Sequence, residues 1–242
     1  MTAGTLLHKT RIDLRKWPLA IWLLASMKKP PSAAELSRQP GVTGETAWLL
    51  RRKITHAMRR GEHELLLRGV VELDESLVGG CARGSGQRGR TSPHKTLVAV
   101  SAEHPPQGGF GRAHLRVIEN VSAKTLANAA GATIQLGSTV KTDGWRAYRA
   151  LSDAGYLHEA HVQATPQAAG ELLPWAHIVI SNFKRWQLDV FHGVSTAHLQ
   201  SYLDEFCYRL NRREARLGLF RRILNRCLLY TPPTTYSELI AA

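Results

Sequence analysis

The sequence predicts an α/β chain, with an all-helical amino-terminal segment ahead of a sheet flanked by helices. Three observations carry this. Up to about residue 60, apolar residues recur at helical spacing between caps and breakers. From about Leu65 the spacing falls to two, in VVELDES, KTLVAVSAE and HLRVIEN. Beyond residue 172 helical spacing returns in two long runs. At 242 residues the chain can bury one large core or two smaller ones.

Residues 17–27, WPLAIWLLASM, read as a buried amphipathic helix, about half the length of a membrane span. KKPPS breaks it, and Ser32 caps a short helix to Arg38. QPGV at 39–42 is a turn, and Thr43 caps a longer helix to about Arg60. Helix, Gly-containing turn and basic helix have the outline of a helix-turn-helix. That reading puts Thr43, Glu45 and Thr46 near base edges and Arg51, Arg52, Lys53, Arg59 and Arg60 on phosphates. A plain helical hairpin with a solvated basic face fits the same residues, and Pro40 stands where a packed Leu is more usual. The surplus of 32 Lys+Arg over 19 Asp+Glu, net +13, favours a polyanionic partner. Nucleic acid is the first candidate and an anionic membrane surface the second.

The strand signals continue through residue 120. GGCARGSGQRGRTSPH (79–94) is too polar to pack and reads as a mobile loop, with Arg83, Arg88, Arg90 and Lys95 suited to a phosphate backbone. Ser122 caps a helix over 122–136, and TVKTD (139–143) is a further strand. The order is therefore strand, strand, strand, helix, strand. Asp74 stands where the first strand gives way to Gly79–Gly80, and Asp143 where the last gives way to Gly144. One such Asp is ordinarily a turn former. Two in matching positions strengthen the case for a metal site if their strands are neighbours in one sheet; two plain turn formers fit the same residues.

Pro174 suits the first turn of a helix through LLPWAHIVISNFKRWQLDVF (172–191). Its His177 and Lys184 lie two turns apart on one face. TAHLQSYLDEFCYRLNRREAR (196–216) reads as one amphipathic helix with Arg209, Arg212, Arg213 and Arg216 at its end. The last residues, with Pro232–Pro233, read as a tail. Cys81, Cys207 and Cys227 form no C-x-x-C pair, which argues against a zinc ribbon or a disulfide framework and suits a reducing cytosol. The amino terminus has no apolar core that reads as a cleavable signal.

VELDESLVGG, VKTDGWRAY, LHEAHV, WAHIVISNFKRW and HGVSTAHLQSYLDEFCYRLNRR, with LRKWPLAIWLLA upstream, together resemble a bacterial insertion-sequence transposase of the DDE type. More narrowly, the chain resembles the IS1595 group, with its ISXO2-like transposase domain. The resemblance implies an RNase H-like fold: a mixed sheet with two aspartates on adjacent strands and a third functional residue on a later helix. It carries the first two acidic positions onto Asp74 and Asp143. The third, seven residues before a basic one, falls on His177, with Lys184 as the basic residue; related enzymes use Glu or Asn there, and some members His.

The implied cofactor is Mg²⁺ (or Mn²⁺), two ions held by Asp74, Asp143 and His177, with Lys184 on a phosphate. His177 is either a weak ligand or a general acid/base, and its bland reading is a helix-start histidine. Glu205 is a fallback third carboxylate. Thr43, Thr46, Arg51, Arg52, Lys53, Arg212 and Arg213 are the expected DNA contacts. The implied partners are the terminal inverted repeats and target DNA, with a homodimer or higher oligomer on DNA, no membrane, and a cytoplasmic, nucleoid-associated location. The expected division is 1–62 helix-turn-helix, 63–216 catalytic domain and 217–242 basic tail. Relatives usually carry a zinc ribbon ahead of the helix-turn-helix, so a shortened copy is expected here. A catalytically inactive DNA-binding remnant or regulator is the alternative function.

Overall fold

The computed structural model describes residues 2–62, 65–79, 95–161, 172–191 and 196–241. It divides into two units: Met1–Glu64 with Leu188–His192 and Asp204–Ala242, and Leu65–Gln187 with Gly193–Leu203.

The first unit begins with α1 (Lys16–Ser26), α2 (Ala33–Arg38) and α3 (Gly44–Glu62). Ser32 and Glu35 form a capping box on α2: Glu35 N donates to Ser32 Oγ, and Ser32 N donates to Glu35 Oε2. The turn between α2 and α3 passes through Gly41 at φ 60, a left-handed conformation that favours glycine. On α3, Ala47, Leu50, Ile54, Ala57 and Met58 are fully buried, in one core with Trp17, Ile21 and Leu24 of α1. Each of the larger side chains contributes about 1.5–3 kcal/mol by leaving water.

The second unit is built on five strands: β1 (Val70–Val78), β2 (Thr96–His104), β3 (Ala113–Ile118), β4 (Thr139–Thr142) and β5 (Leu157–Ala160). Their order is β3-β2-β1-β4-β5. β1, β2 and β3 form an antiparallel meander, while β4 runs parallel to β1 and β5 parallel to β4. The expected RNase H-like mixed sheet is thus present. The crossover from β3 to β4 is α4 (Ala123–Thr133), capped by Ser122, whose side chain accepts from Thr125 N. One sheet face, with Val71, Leu73, Ala99 and Val140, packs on Leu126, Ala129 and Ala130 of α4. Tyr148, in the 3-10 turn Arg146–Arg149, and Leu151 of α5 (Ala150–Asp153) complete that core. The later helices are α6 (Pro174–Phe191) and α7 (Leu199–Leu210), followed by α8 (Leu219–Asn225) and α9 (Tyr236–Ala241).

Four expectations are corrected. The helix expected over 196–216 ends at Leu210, and a 3-10 stretch follows that is broken at Ala215 (φ −103, ψ 35). The stretch 217–242 is no tail: Leu219, Ile223 and Cys227 lie in the same core as α1 and α3. Thr235 and Glu238 cap α9, with Glu238 N donating to Thr235 Oγ1 and Thr235 N to Glu238 Oε2. Arg51 and Arg52, expected on phosphates, are buried. Arg51 donates to Glu205 Oε2 at 2.6 Å and to Pro31 O at 3.3 Å, and Arg52 donates to Leu239 O at 2.6 Å. Arg51 lies four residues after Ala47 and three before Ile54, inside the apolar stripe of α3. Glu205, the fallback carboxylate, is fully buried as the counter-charge of Arg51. Lys53 is half-buried, and burial lowers its ammonium pKa.

Candidate active site

β1 alternates so that Val71 and Leu73 enter the core while Glu72, Asp74 and Ser76 share the opposite face. Directly across the antiparallel ladder, Ala102, Val100 and Val98 of β2 pair with those three residues. Asp74 is therefore not at a strand end, as the Gly79–Gly80 signal suggested; it is the middle residue of β1. It lies at the edge of pairing only towards β4, where the ladder closes with Glu72 opposite Lys141. The same register carried two residues on brings Asp74 level with Asp143. Asp143 follows the last residue of β4 and precedes Gly144, at φ 81. It is exposed, and its Oδ1 accepts from Trp145 N at 2.9 Å.

That polar face of β1 meets α6. Glu72 Oε2 accepts the backbone N–H groups of Trp175 at 2.8 Å and Ala176 at 2.9 Å. A buried carboxylate thus satisfies the donors that the first turn of a helix leaves free, and its charge complements the helix dipole. One residue on, His177 Nε2 stands 3.3 Å from Asp74 Oδ2. Two turns on, Lys184 Nζ donates to Ser76 Oγ at 3.0 Å. Seven residues of helix advance about 10.5 Å, whereas two residues of strand advance about 6.7 Å. The flexible lysine stem takes up the difference.

The surroundings of Asp74 oppose its ionisation. Burial, with the neighbouring Glu75 charge, pushes the Asp74 carboxyl up to about 6; His177 opposes this and Asp143 adds to it. On the core side of β1, Tyr148 donates its hydroxyl to Glu75 Oε2 at 2.5 Å. Burial and that carboxylate hold the Tyr148 hydroxyl far above its ordinary pKa. Burial also raises Glu72, offset in part by the two N–H donors. Burial lowers Lys184, with Lys95 acting in the same sense and Asp74 against it.

The structure therefore brings Asp74 and His177 together and sets Lys184 on the same strand face, while Asp143 lies one residue past β4, beyond the paired register. Among the described residues, no three His, Cys, Asp or Glu side chains stand close enough to hold an ion between them. Glu72 is not among the sequence-level candidates, although the alternation of VELDES puts it on the face of Asp74. Of the other expected DNA contacts, Thr43 lies at the start of α3, where its Oγ1 accepts from Thr46 N at 3.3 Å. Arg212 donates to Tyr208 O at 3.0 Å and Arg213 to Leu210 O at 3.2 Å, just beyond α7. Arg83, Arg88 and Arg90 lie outside the described residues.

A family model described as the ISXO2-like transposase domain matches residues 66–211. No curated protein matches the chain. Among solved structures, the chain is similar to the catalytic core domain of BIV integrase, at 16% identity and a TM-score of 0.33, over 60% of this chain and 82% of that one. It is also similar to Mos1 transposase, solved as a paired-end complex with the left transposon end, at 12% identity and a TM-score of 0.24, over 87% and 78%. No helix among the described residues is long and apolar enough to cross a membrane.

Proposed function

The chain belongs to the ISXO2-like transposase domain family, and from that premise we propose that it is a DDE-type enzyme that cleaves and transfers DNA strands at the ends of an insertion sequence. The observation that carries this reading is the Asp74–His177 pair at 3.3 Å, on a strand that pairs in parallel with β4, the strand that leads into Asp143.

The donor types at this face, carboxylate and imidazole, are those that hold a divalent cation, although no three of them converge among the described residues. Burial and the Glu75 and Asp143 charges oppose ionisation of Asp74, and a bound cation would supply the missing opposite charge. Two carboxylates and an imidazole suit Mg²⁺ or Mn²⁺. When bound, such ions supply Lewis-acid polarisation of a phosphate and a lower pKa for the attacking hydroxyl. Asp74 and Asp143 would hold them, with His177 as a third ligand or as the group that moves a proton at the attacking oxygen. Lys184, in reach of Ser76 on the same face, would pair with a phosphate oxygen of the DNA. Glu72 fixes the first turn of α6 and so the position of His177.

The partners are DNA carrying the terminal inverted repeats and a target duplex, with a homodimer or larger assembly on DNA. Thr43 and Thr46 at the start of α3, and Arg212 and Arg213, are retained as DNA contacts. Arg51 and Arg52 are not.

The test uses the full chain with labelled duplex bearing the element's ends, in Mg²⁺ or Mn²⁺ and in chelator. Metal-dependent strand cleavage that is lost in Asp74→Asn and in Asp143→Asn, with joining of the cut 3′ ends to a target plasmid, supports the reading. Binding of the same duplex without cleavage in either metal would instead establish the inactive DNA-binding remnant.

A further inference from the structure

Four arginines converge on one cleft of the first unit. The cleft, about 360 Å³ in volume, is lined by Arg60, Arg212, Arg222 and Arg226 together with Tyr208 and Tyr230. No carboxylate lines it among the described residues. The four come from separate parts of the chain: the last turns of α3, the segment after α7, and α8 with the π-helical turn Arg226–Tyr230 that follows it. Two acidic side chains of α7 and the segment after it pair with arginines that do not line the cleft, Asp204 with Arg59 at 3.3 Å and Glu214 with Arg213 at 3.7 Å.

Cations are drawn individually to helix ends by the dipole, which accounts for Arg60 and Arg212 one at a time. It does not account for four guanidinium groups opening onto a single cavity, where they repel one another. Arg212 is held firmly: its guanidinium lies 3.9 Å over the Tyr208 ring, and its Nη1 donates to Tyr208 O. Arg60 and Arg222 are exposed, and Arg226 is half-buried. Such a cleft is preorganised for an anion, and the planar guanidinium fork matches phosphate oxygens two at a time. The charges of Arg60, Arg222 and Arg226 alone exceed what one phosphate neutralises, and suit consecutive phosphates on a chain. Tyr230, 68% exposed at the rim, offers a ring to a sugar or base.

We propose that this cleft binds the sugar–phosphate backbone of DNA, as a second binding surface on a different unit from the Asp74 face. The proposal rests on the reading that DNA is the substrate. The phosphate pairing first expected from Arg51 and Arg52 on α3 would then be made by Arg60, Arg222 and Arg226.

The experiment is fluorescence anisotropy of a short labelled duplex with the full chain, in chelator, across a salt series. Arg222→Ala/Arg226→Ala is expected to raise Kd about tenfold or more, and to reduce the slope of log K against log salt by about 2, near 0.9 for each phosphate that is no longer neutralised. The exposed single variant Arg222→Ala, expected to reduce the slope by about 1, decides the matter should the pair melt early. Arg222→Lys/Arg226→Lys is expected to keep most of the slope. Unchanged affinity and slope in both Ala variants, with a parent protein that binds, overturns the cleft and leaves the substrate reading standing. A parent that binds no DNA at any salt overturns both. Displacement of the duplex by inorganic phosphate or poly-glutamate as readily as by unlabelled DNA also overturns the proposal, marking a small-anion or acidic-protein site.

Discussion

Glu72 accepts the backbone N–H of Ala176 at 2.9 Å, one residue before His177. A buried strand carboxylate thereby sets where α6 begins. Glu72→Ala leaves two N–H donors without their acceptor, that of Ala176 buried and that of Trp175 half-buried, which costs about 1–3 kcal/mol. Glu72→Gln keeps an acceptor oxygen and loses only charge, so it is expected to cost about 1 kcal/mol. Urea unfolding of the three proteins checks the order. A loss in the Gln variant equal to that in the Ala variant would mean that charge, not the acceptor geometry, holds the helix.

Arg51 and Glu205 give a second measurable relationship. Both are buried, with side-chain exposures of 5% and 0%. Removing one partner strands the other charge away from water. Arg51→Met is expected to destabilise the first unit by about 3–5 kcal/mol. Arg51→Met/Glu205→Leu is expected to recover most of that loss, because a well-packed apolar pair commonly replaces a buried ion pair at little cost. A double-mutant cycle by chemical denaturation measures the coupling. Additive losses would show that the two side chains act independently.

These residues also show where sequence is legible. The short apolar runs in VVELDES and KTLVAVSAE mark β1 and β2, but burial does not alternate along either strand: Val71–Leu73 and Val98–Glu103 are buried without a break. Ser32 and Ser122 announce their helices because a cap needs only the next three residues. β5 gives no periodic signal, since its four residues LHEA are mostly exposed and owe their place to backbone pairing with β4. Arg51 misleads because net charge does not say which charges are at the surface, although its position in the stripe of α3 marks it as inward. The end of the chain misleads because Leu219, Ile223 and Cys227 make a stripe too short to recognise without the helices it packs on. At the site, the spacing of His177 and Lys184 is visible. That both meet alternate residues of β1 depends on α6 lying against the sheet, which no local pattern encodes.

His56 gives the first unit a pH dependence. Burial lowers its pKa below 6.5, and Arg59 and Arg60 act in the same direction, against Glu238. A histidine depressed in the folded state contributes stability that is present above its unfolded pKa. That contribution is lost as pH falls from 6.5 through the folded value, because the unfolded chain takes up the proton first. The first unit is therefore expected to lose stability as pH falls below the unfolded histidine value of 6.5. His56→Gln should flatten that part of the curve. Melting temperatures across this range check it, and an unchanged slope in the variant would assign the effect to another group.

Asp74 separates stability from function most sharply. In a chelating buffer above pH about 6, its carboxylate is ionised in a site where burial and the Glu75 charge oppose ionisation. The neutral Asn has nearly the same shape and lacks that cost. Metal-free Asp74→Asn is therefore expected to be as stable as the parent or more so, by up to about 2 kcal/mol. Adding Mg²⁺ or Mn²⁺ reverses the order, because a cation bound only by the folded parent raises its melting temperature with concentration, while the variant lacks the charge that holds the ion. Thermal unfolding of both proteins with and without metal reads the crossover directly. If Asp74→Asn melts well below the parent in chelator, the carboxylate is a structural partner of His177. If metal shifts both proteins equally, the ion binds elsewhere, and the aligned strands of Asp74 and Asp143 do not make its site.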